Sequence, residues 1–478
     1  MTTLPTSCGT LADLLTLRAG ASPDRVAYTF LKDGENASGS YTYRQLDDRA
    51  RRVAAALLAL TTAGARVVII APSSLEWLAG FFGCAHAGMA AVPVPQVRPG
   101  KVDSLLRVIE DCNASVVAVD PAAAAFLRDE PGLRGVALLV LDDALLETPA
   151  ASVVLPVVVP SSIALLQYTS GSTGNPKGVI VTHENILANE AMIQRSFGHD
   201  SDSTFVGWLP LFHDMGLIGN VLQPLYIGAH AVLMAPTSFL ERPIRWLRAI
   251  SRYRAHTSGG PDFAYGLSAL RAKPAQLAEL DLSCWKVAFN GAEPVKAQTL
   301  AGFAKVFASC GFRAEAFFPC YGLAEATLFV AGADLGRAPT VLDVDAEVFE
   351  AEGRFQAAAA AGRKQRLVGC GKPADGLLVL VVDEHGEPVA DGRVGEIQIS
   401  GPNVTQGYWG GLAKEKFRDG MGSWSSKRFY RTGDLGSFSG GELYILGRLD
   451  DLIIIRGRNY YPQDLETTAS RAHPRLKP

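Results

Sequence analysis

Residues 167–180 read QYTSGSTGNPKGVI, with three glycines, two serines, two threonines and a lysine in one short stretch. The stretch follows a strand-like run, SIALLQY (162–168), and leads into GVIVTHENILANEAMI, where a strand passes to a helix starting near Thr182. Glycine lets successive backbone N–H groups converge on an anion. The hydroxyls of Thr169, Ser170, Ser172 and Thr173 add donors, and Lys177 adds a positive charge. Phosphate is the ligand that suits such a loop. It is not a Walker loop, because Lys177 lies between Pro176 and Gly178 and no hydroxyl follows it to hold Mg²⁺. A generic Gly/Ser stretch reads first as a flexible surface turn, but the order T-S-G-S-T-G-x-P-K-G is far more specific and reverses that preference.

Working outward, the first half of the chain alternates helix and strand. TYRQLDDRARRVAAALLAL (42–60) and SLEWLAGFFGCAHAG (74–88) carry apolar residues at helical spacing. RVVII (66–70) and AAVPVP (90–95) read as strands, and SLLRVIEDCNASVVAVD (104–120) repeats helix then strand. This rhythm predicts βαβ units on a parallel sheet, and it returns from about 181 to 335. ALRAKPAQLAEL (269–280) reads as a surface helix interrupted by Pro274. Past about 368 the texture becomes short strands split by Gly- and Pro-containing turns, as in LLVLVVDEHGEPVADGRVGEIQISGP (377–402), which predicts a small antiparallel barrel or sheet. Between the two textures lies an alanine- and charge-rich insert, FEAEGRFQAAAAAGRKQR (349–366).

Composition narrows the class. A chain of 478 residues exceeds one core. A net charge of -3 gives no electrostatic case for nucleic acid or an anionic membrane as main partner. No apolar run reaches the roughly 18 residues that span a bilayer, and the N-terminus lacks the pattern of a signal peptide. Seven cysteines, at 8, 84, 112, 284, 310, 320 and 370, form no CxxC pair and are odd in number, so they read as reduced thiols of a cytoplasmic protein.

The opening string resembles the phosphate loop of the adenylate-forming superfamily: acyl-CoA synthetases, adenylation domains of nonribosomal peptide synthetases, and luciferases. GAEPV (291–295), YGLAEAT (321–327), GEIQISGPNVTQGYW (395–409), YRTGDLG (430–436) and GRLDDLIIIRGRNYYPQDLE (447–466) match that family's further motifs in order. The resemblance covers essentially the whole chain. LPLFHDMGLIGNVLQPLYIG (209–228), SGGPDFAYGL (258–267), and Ala324 where most members carry threonine narrow it to fatty acyl-AMP ligases. It implies an α/β fold with parallel-sheet subdomains at 1–180 and 181–336. A family-specific insertion at 337–367, a small β-barrel-like subdomain at 368–449, and a hinge with the start of a small α+β domain at 450–478 would follow. The stop at Pro478 reads as that last domain cut short before its catalytic lysine, with Lys477 too close to the hinge to serve.

By the same resemblance, the enzyme joins a fatty acid to ATP as acyl adenylate and hands the acyl group to the phosphopantetheine of an acyl carrier protein. The loop Thr169–Ser170–Gly171–Ser172–Thr173–Gly174 with Lys177 would take the β- and γ-phosphates, and Glu325 would hold Mg²⁺. Asp434 would accept from the ribose hydroxyls, with Arg448 near ribose or phosphate. Gly291, Ala292 and Glu293, with Tyr321, Gly322, Leu323 and Ala324, would line the adenine pocket. His213 would neighbour the reacting carboxylate, and Trp208, Met215, Ile218, Phe263 and Tyr265 would line the acyl tunnel, with Asp450 as hinge. Family knowledge ties the extra segment to loss of transfer to CoA. Each residue also has a plain reading: Glu325 as a solvated loop carboxylate, Asp434 as a turn residue, His213 as structural, and the apolar set as core. An acyl-CoA ligase and a catalytically silent nucleotide-binding module stay open at this point.

Overall fold

Arg66–Ile70 is short, β-branched and almost wholly buried, which suits a strand covered on both faces. In the computed structural model it pairs in parallel with Ala90–Pro93 on one side and Val116–Val119 on the other. The model describes residues 8–147, 153–169, 177–420, 422–455, 458–462, 465, 466, 469 and 472. The sheet continues to Ala137–Val140 at one edge, and through Ile163–Thr169 to Lys177–Thr182 at the other. That last pair is antiparallel, so the candidate phosphate loop joins the arms of a hairpin whose terminal partners are Thr169 and Lys177.

Helices Tyr43–Leu60 and Leu75–His86 flank this sheet, starting at Thr42 and Ser74 caps that accept from the third helical N–H. They approach closely: a Cβ on Gly83 would lie 2.5 Å from Val53 Cγ1, so only glycine fits there. The helix His183–Phe197 starts on a Thr182–Asn185 capping box. A second parallel run holds Val26–Leu31, Ala231–Met234, Phe205–Gly207 and the first residues of Thr257–Gly260, with Ala37–Thr42 antiparallel at its edge.

Chain contacts group the molecule into two units. One comprises Met1–Ser258, Leu323–Leu328 and Pro402–Lys414; the other comprises Gly259–Gly322, Phe329–Gly401 and Glu415–Pro478. In the second unit, Val287–Asn290 pairs in parallel with Phe317–Gly322, which pairs antiparallel with Phe329–Gly332. Past 368 the expected antiparallel sheet forms. Leu378–Val382, Gly395–Ser400 and the long strand Arg428–Ser439 lie side by side, and Arg428–Ser439 also pairs with Phe417–Asp419 and Glu442–Arg448.

The insert folds as a hairpin, Val341–Asp345 against Lys364–Val368, around a short helix Ala346–Glu352 capped by Asp345. Val344, Phe349 and Leu367 bury against Leu435, Tyr444, Leu446 and Tyr461, with Phe349 stacked on Tyr461 at 5.5 Å. Pro274 does not interrupt a helix: Asp262–Arg271 has already ended, and Pro274 opens a separate turn, Pro274–Leu277, since proline fits a first helical position. All seven cysteines are free thiols. Burial pushes Cys8 up to about 11 and Cys84 and Cys370 up to about 12. Among the described residues, no helix is long and apolar enough to cross a membrane.

Candidate active site

The first unit holds one set of the predicted groups. Thr169 and Lys177 face each other at the loop end of the hairpin, while Ser170, Gly171, Ser172, Thr173 and Gly174 lie outside the described residues. Two residues before Thr169, the buried Gln167 donates through Nε2 to the Phe212 carbonyl at 2.8 Å. That bond ties the hairpin to the turn carrying His213, a role no motif announced. His213 Nδ1 sits 2.6 Å from Asp214 Oδ1. The hydrogen bond to Asp214 holds the imidazole above its ordinary value, against burial and with the aid of the carboxylate charge. Asp214 also accepts from the Met215 N–H at 2.6 Å, which begins a π-helical stretch, Met215–Leu222. Such stretches are rare and concentrate at functional sites.

Trp208, Met215 and Ile218 are all buried around this stretch, with Trp208 stacked on Phe239 at 4.0 Å. Asn220, on the same π-helix, packs its amide against Gly207 and finds no partner for either amide atom among the described residues.

Leu323–Leu328 is a tight turn closed by Leu323 N–H to the Leu328 carbonyl. Thr327 stands at φ 65, a left-handed value that a β-branched residue adopts only under constraint. The constraint is visible. Thr327 Oγ1 donates to the Asn403 carbonyl at 2.7 Å, Asn403 Nδ2 to the Ala326 carbonyl at 3.0 Å, and Thr405 N–H to the Glu325 carbonyl at 2.8 Å. The Glu325 side chain is half-buried, and its Oε1 accepts from the Tyr408 hydroxyl at 2.5 Å. Ala324 is buried within this turn. A half-buried carboxylate with one oxygen held by a hydroxyl fits Mg²⁺, which takes one or two protein carboxylates and fills its shell with water and phosphate.

The second unit holds the other set. Asp434 lies opposite Arg448 in register, and its side chain is only 12% exposed. Oδ2 accepts from the Tyr321 hydroxyl at 2.5 Å, and Oδ1 lies 3.5 Å from Arg448 Nε. A carboxylate accepts only, which is the chemistry that hydroxyl donors such as those of a ribose need. Gly433, at φ 75, makes the bend that presents Asp434, and the Asp434 N–H donates to Thr432 Oγ1.

Gly291 lies against residue 320, where a Cβ would stand 2.9 Å from the Cys320 carbonyl oxygen. Ala292 takes φ 68, and Glu293 Oε1 accepts from the Phe263 N–H at 2.6 Å. Burial raises the Glu293 carboxyl. Tyr321 is buried and Gly322 half-buried at the end of their strand. Phe263 is half-exposed, whereas Tyr265 is fully buried, with its ring against Trp285 and Phe303 and its hydroxyl on the Phe289 carbonyl. Asp450 is exposed just past the strand Glu442–Arg448.

The family model described as AMP-binding enzyme matches residues 15–409. The chain is 39% identical over 98% of its length to a medium-chain-fatty-acid–[acyl-carrier-protein] ligase, JamA, of Moorena producens, covering 81% of that protein. It is 36% identical to the long-chain-fatty-acid–AMP ligase FadD32 of Mycolicibacterium smegmatis, over 95% of this chain and 76% of that one. A solved fatty acyl-adenylate ligase from L. pneumophila, in complex with acyl adenylate and pyrophosphate, superposes with a TM-score of 0.88 at 37% identity, covering 98% of this chain and 82% of that one. The chain belongs to the AMP-binding, adenylate-forming enzymes, on the branch of the fatty acyl-AMP ligases.

Proposed function

We propose that the residues above divide the adenylation of a fatty acid between them. The enzyme activates a fatty acid with ATP to acyl adenylate and pyrophosphate, for transfer to the phosphopantetheine of an acyl carrier protein. A carboxylate oxygen attacks the α-phosphorus and pyrophosphate leaves in line. Negative charge crowds at phosphorus, so catalysis is mostly positioning and charge neutralisation.

Asp434 accepts from both ribose hydroxyls, with Arg448 beside it. Gly291–Glu293 and Tyr321, followed by Gly322 and Leu323, receive the adenine. Lys177 and the loop it closes neutralise the β- and γ-phosphates. Glu325 would hold Mg²⁺, which would supply charge screening for the leaving pyrophosphate. His213, cationic over a wider pH range than free imidazole because of Asp214, draws the fatty carboxylate in. Trp208, Met215 and Ile218 give the acyl chain an apolar surface. The single observation that supports this reading best is the buried Asp434 carboxylate, fixed by the Tyr321 hydroxyl on one oxygen and flanked by Arg448 on the other.

The partners follow as a fatty acid and an acyl carrier protein, and seven free thiols agree with a cytoplasmic setting. The test is mass spectrometry of products formed with ATP, a chain-length series of fatty acids, CoA and a holo carrier protein. Acyl adenylate, and carrier protein acylated on its phosphopantetheine thiol, are the expected products. Acyl-CoA as main product would instead favour a CoA ligase. A variant lacking residues 343–366 should gain acyl-CoA formation if the insert is what withholds CoA transfer.

A further inference from the structure

Asp262 lies at the start of the helix Asp262–Arg271 and is 4% exposed, yet the chemistry above gives it no task. Its Oδ1 accepts from Asn290 Nδ2 at 3.1 Å and from the Lys296 N–H at 3.2 Å. Its Oδ2 accepts from the Thr299 hydroxyl at 2.7 Å. Residues 290 and 296 bracket Gly291–Glu293 in the sequence, and Thr299 sits in the first turn of the helix Ala297–Phe307. That helix has no capping side chain of its own at Lys296. A carboxylate from another helix instead accepts from the Lys296 N–H just ahead of this helix and from a hydroxyl in its first turn, where its charge also meets the positive end of the helix dipole.

The next residue adds a fourth point, since the Phe263 N–H donates to Glu293 Oε1 at 2.6 Å. Two consecutive residues thus hold the segment 290–296 from one side, while Gly291 rests on the Cys320 carbonyl from another. Between these supports Ala292 keeps φ 68, a conformation that persists only where its surroundings fix it. Burial raises the Asp262 carboxyl, and the bonds from Thr299, Asn290 and the Lys296 N–H oppose that rise.

We propose that Asp262 is a positioning residue for nucleotide recognition: it fixes the backbone edge Gly291–Glu293 against which the adenine base is read. The proposal rests on the assignment of that edge to adenine. Asp262 touches no reacting atom and acts through the loop it holds, so its effect falls on nucleotide KM and base preference rather than on kcat.

Steady-state kinetics on the whole enzyme test this. Asp262→Ala leaves three donors without an acceptor, and the KM for ATP should rise about tenfold or more, with kcat and the KM for fatty acid within about twofold. The preference for ATP over ITP, which differs at the base edge alone, should fall with it. Loss of folded enzyme would lower kcat and leave that preference intact. Asp262→Asn keeps the acceptor for Asn290 and Lys296, and the Thr299 hydroxyl can turn to accept, so it should return both readouts to near the parent. If Asp262→Ala does not fold, Thr299→Val removes one of the three bonds and should raise the KM for ATP about threefold.

Gly291→Ala separates the two layers of the argument, because its Cβ meets the Cys320 carbonyl and displaces the edge directly. A raised KM in Gly291→Ala with unchanged KM and base preference in the Asp262 and Thr299 variants overturns the positioning role alone. Unchanged kinetics in Gly291→Ala overturns the adenine assignment beneath it.

Discussion

Two carboxylates in this molecule are held the same way. Tyr321 donates to Asp434 and Tyr408 donates to Glu325, each at 2.5 Å. Their surroundings differ. Asp434 is buried in a sheet with Arg448 alongside, so its charge is already balanced. Glu325 is half-buried on a strained turn, and no cation pairs with it among the described residues. A balanced, buried carboxylate has little to offer a second cation and suits neutral hydroxyl donors. An unbalanced one facing water is where a divalent ion gains most. The shared tyrosine fixes orientation, and the neighbouring charge decides the ligand.

The largest effect that could break this contrast comes from Asp434→Ala. Losing charged hydrogen bonds to ribose should weaken ATP and AMP alike by about 2–4 kcal/mol, measured by calorimetry. An unchanged AMP affinity would return Asp434 to the role of a turn residue. Next, Lys177→Ala should weaken ATP by about 1.5–3 kcal/mol with little effect on AMP, which lacks the β- and γ-phosphates. Equal losses for both nucleotides would show that Lys177 does not read those phosphates.

The two tyrosines sharpen the comparison further. Tyr408→Phe should raise the Mg²⁺ concentration for half-maximal activity about tenfold and leave AMP binding alone, since it frees only the carboxylate that orients on metal. Tyr321→Phe should do the reverse. A common response in both assays would mean that neighbouring charge does not set the ligand.

The smallest effect concerns His213. Its raised value means that the imidazolium persists to higher pH than usual and is lost as pH climbs through that value. The KM for fatty acid should therefore rise on the alkaline side. Asp214→Asn, which removes the cause of the shift, should move that rise to lower pH. An identical pH profile in the variant would detach His213 from carboxylate binding.

Much of the fold was legible because local signals agreed with it. Thr42, Ser74 and Thr182 stand where caps are needed, and the β-branched run at 66–70 could only be a covered strand. What could not be read was long-range. Tyr408 and Glu325 are 83 residues apart, and nothing near either one announces the other. The return of Leu323–Leu328 and Pro402–Lys414 to the first unit leaves no change of texture. Gln167 looked like one polar residue in a strand, although its amide reaches the Phe212 carbonyl. Tyr265 shows the limit on apolar residues. Core and tunnel lining ask for the same side chains, and only the ring contacts with Trp285 and Phe303 reveal how this one is packed.

The hairpin built by the insert has a consequence for how such a segment can come and go. Its strands pair from Val341–Val368 inward to Asp345–Lys364, and just outside them the Gly369 N–H still donates to the Thr340 carbonyl at 3.0 Å. Entry and exit are therefore neighbours, and the segment is a cassette that can be spliced out without stretching the rest of the chain. Its removal is not neutral for the surface beneath, because Val344, Phe349 and Leu367 cover Leu435, Tyr444 and Leu446. A chain without the cassette would carry a bare apolar patch there unless those three positions turned polar with it. Gain or loss of the segment and the polarity of three distant sheet residues are in this way coupled requirements.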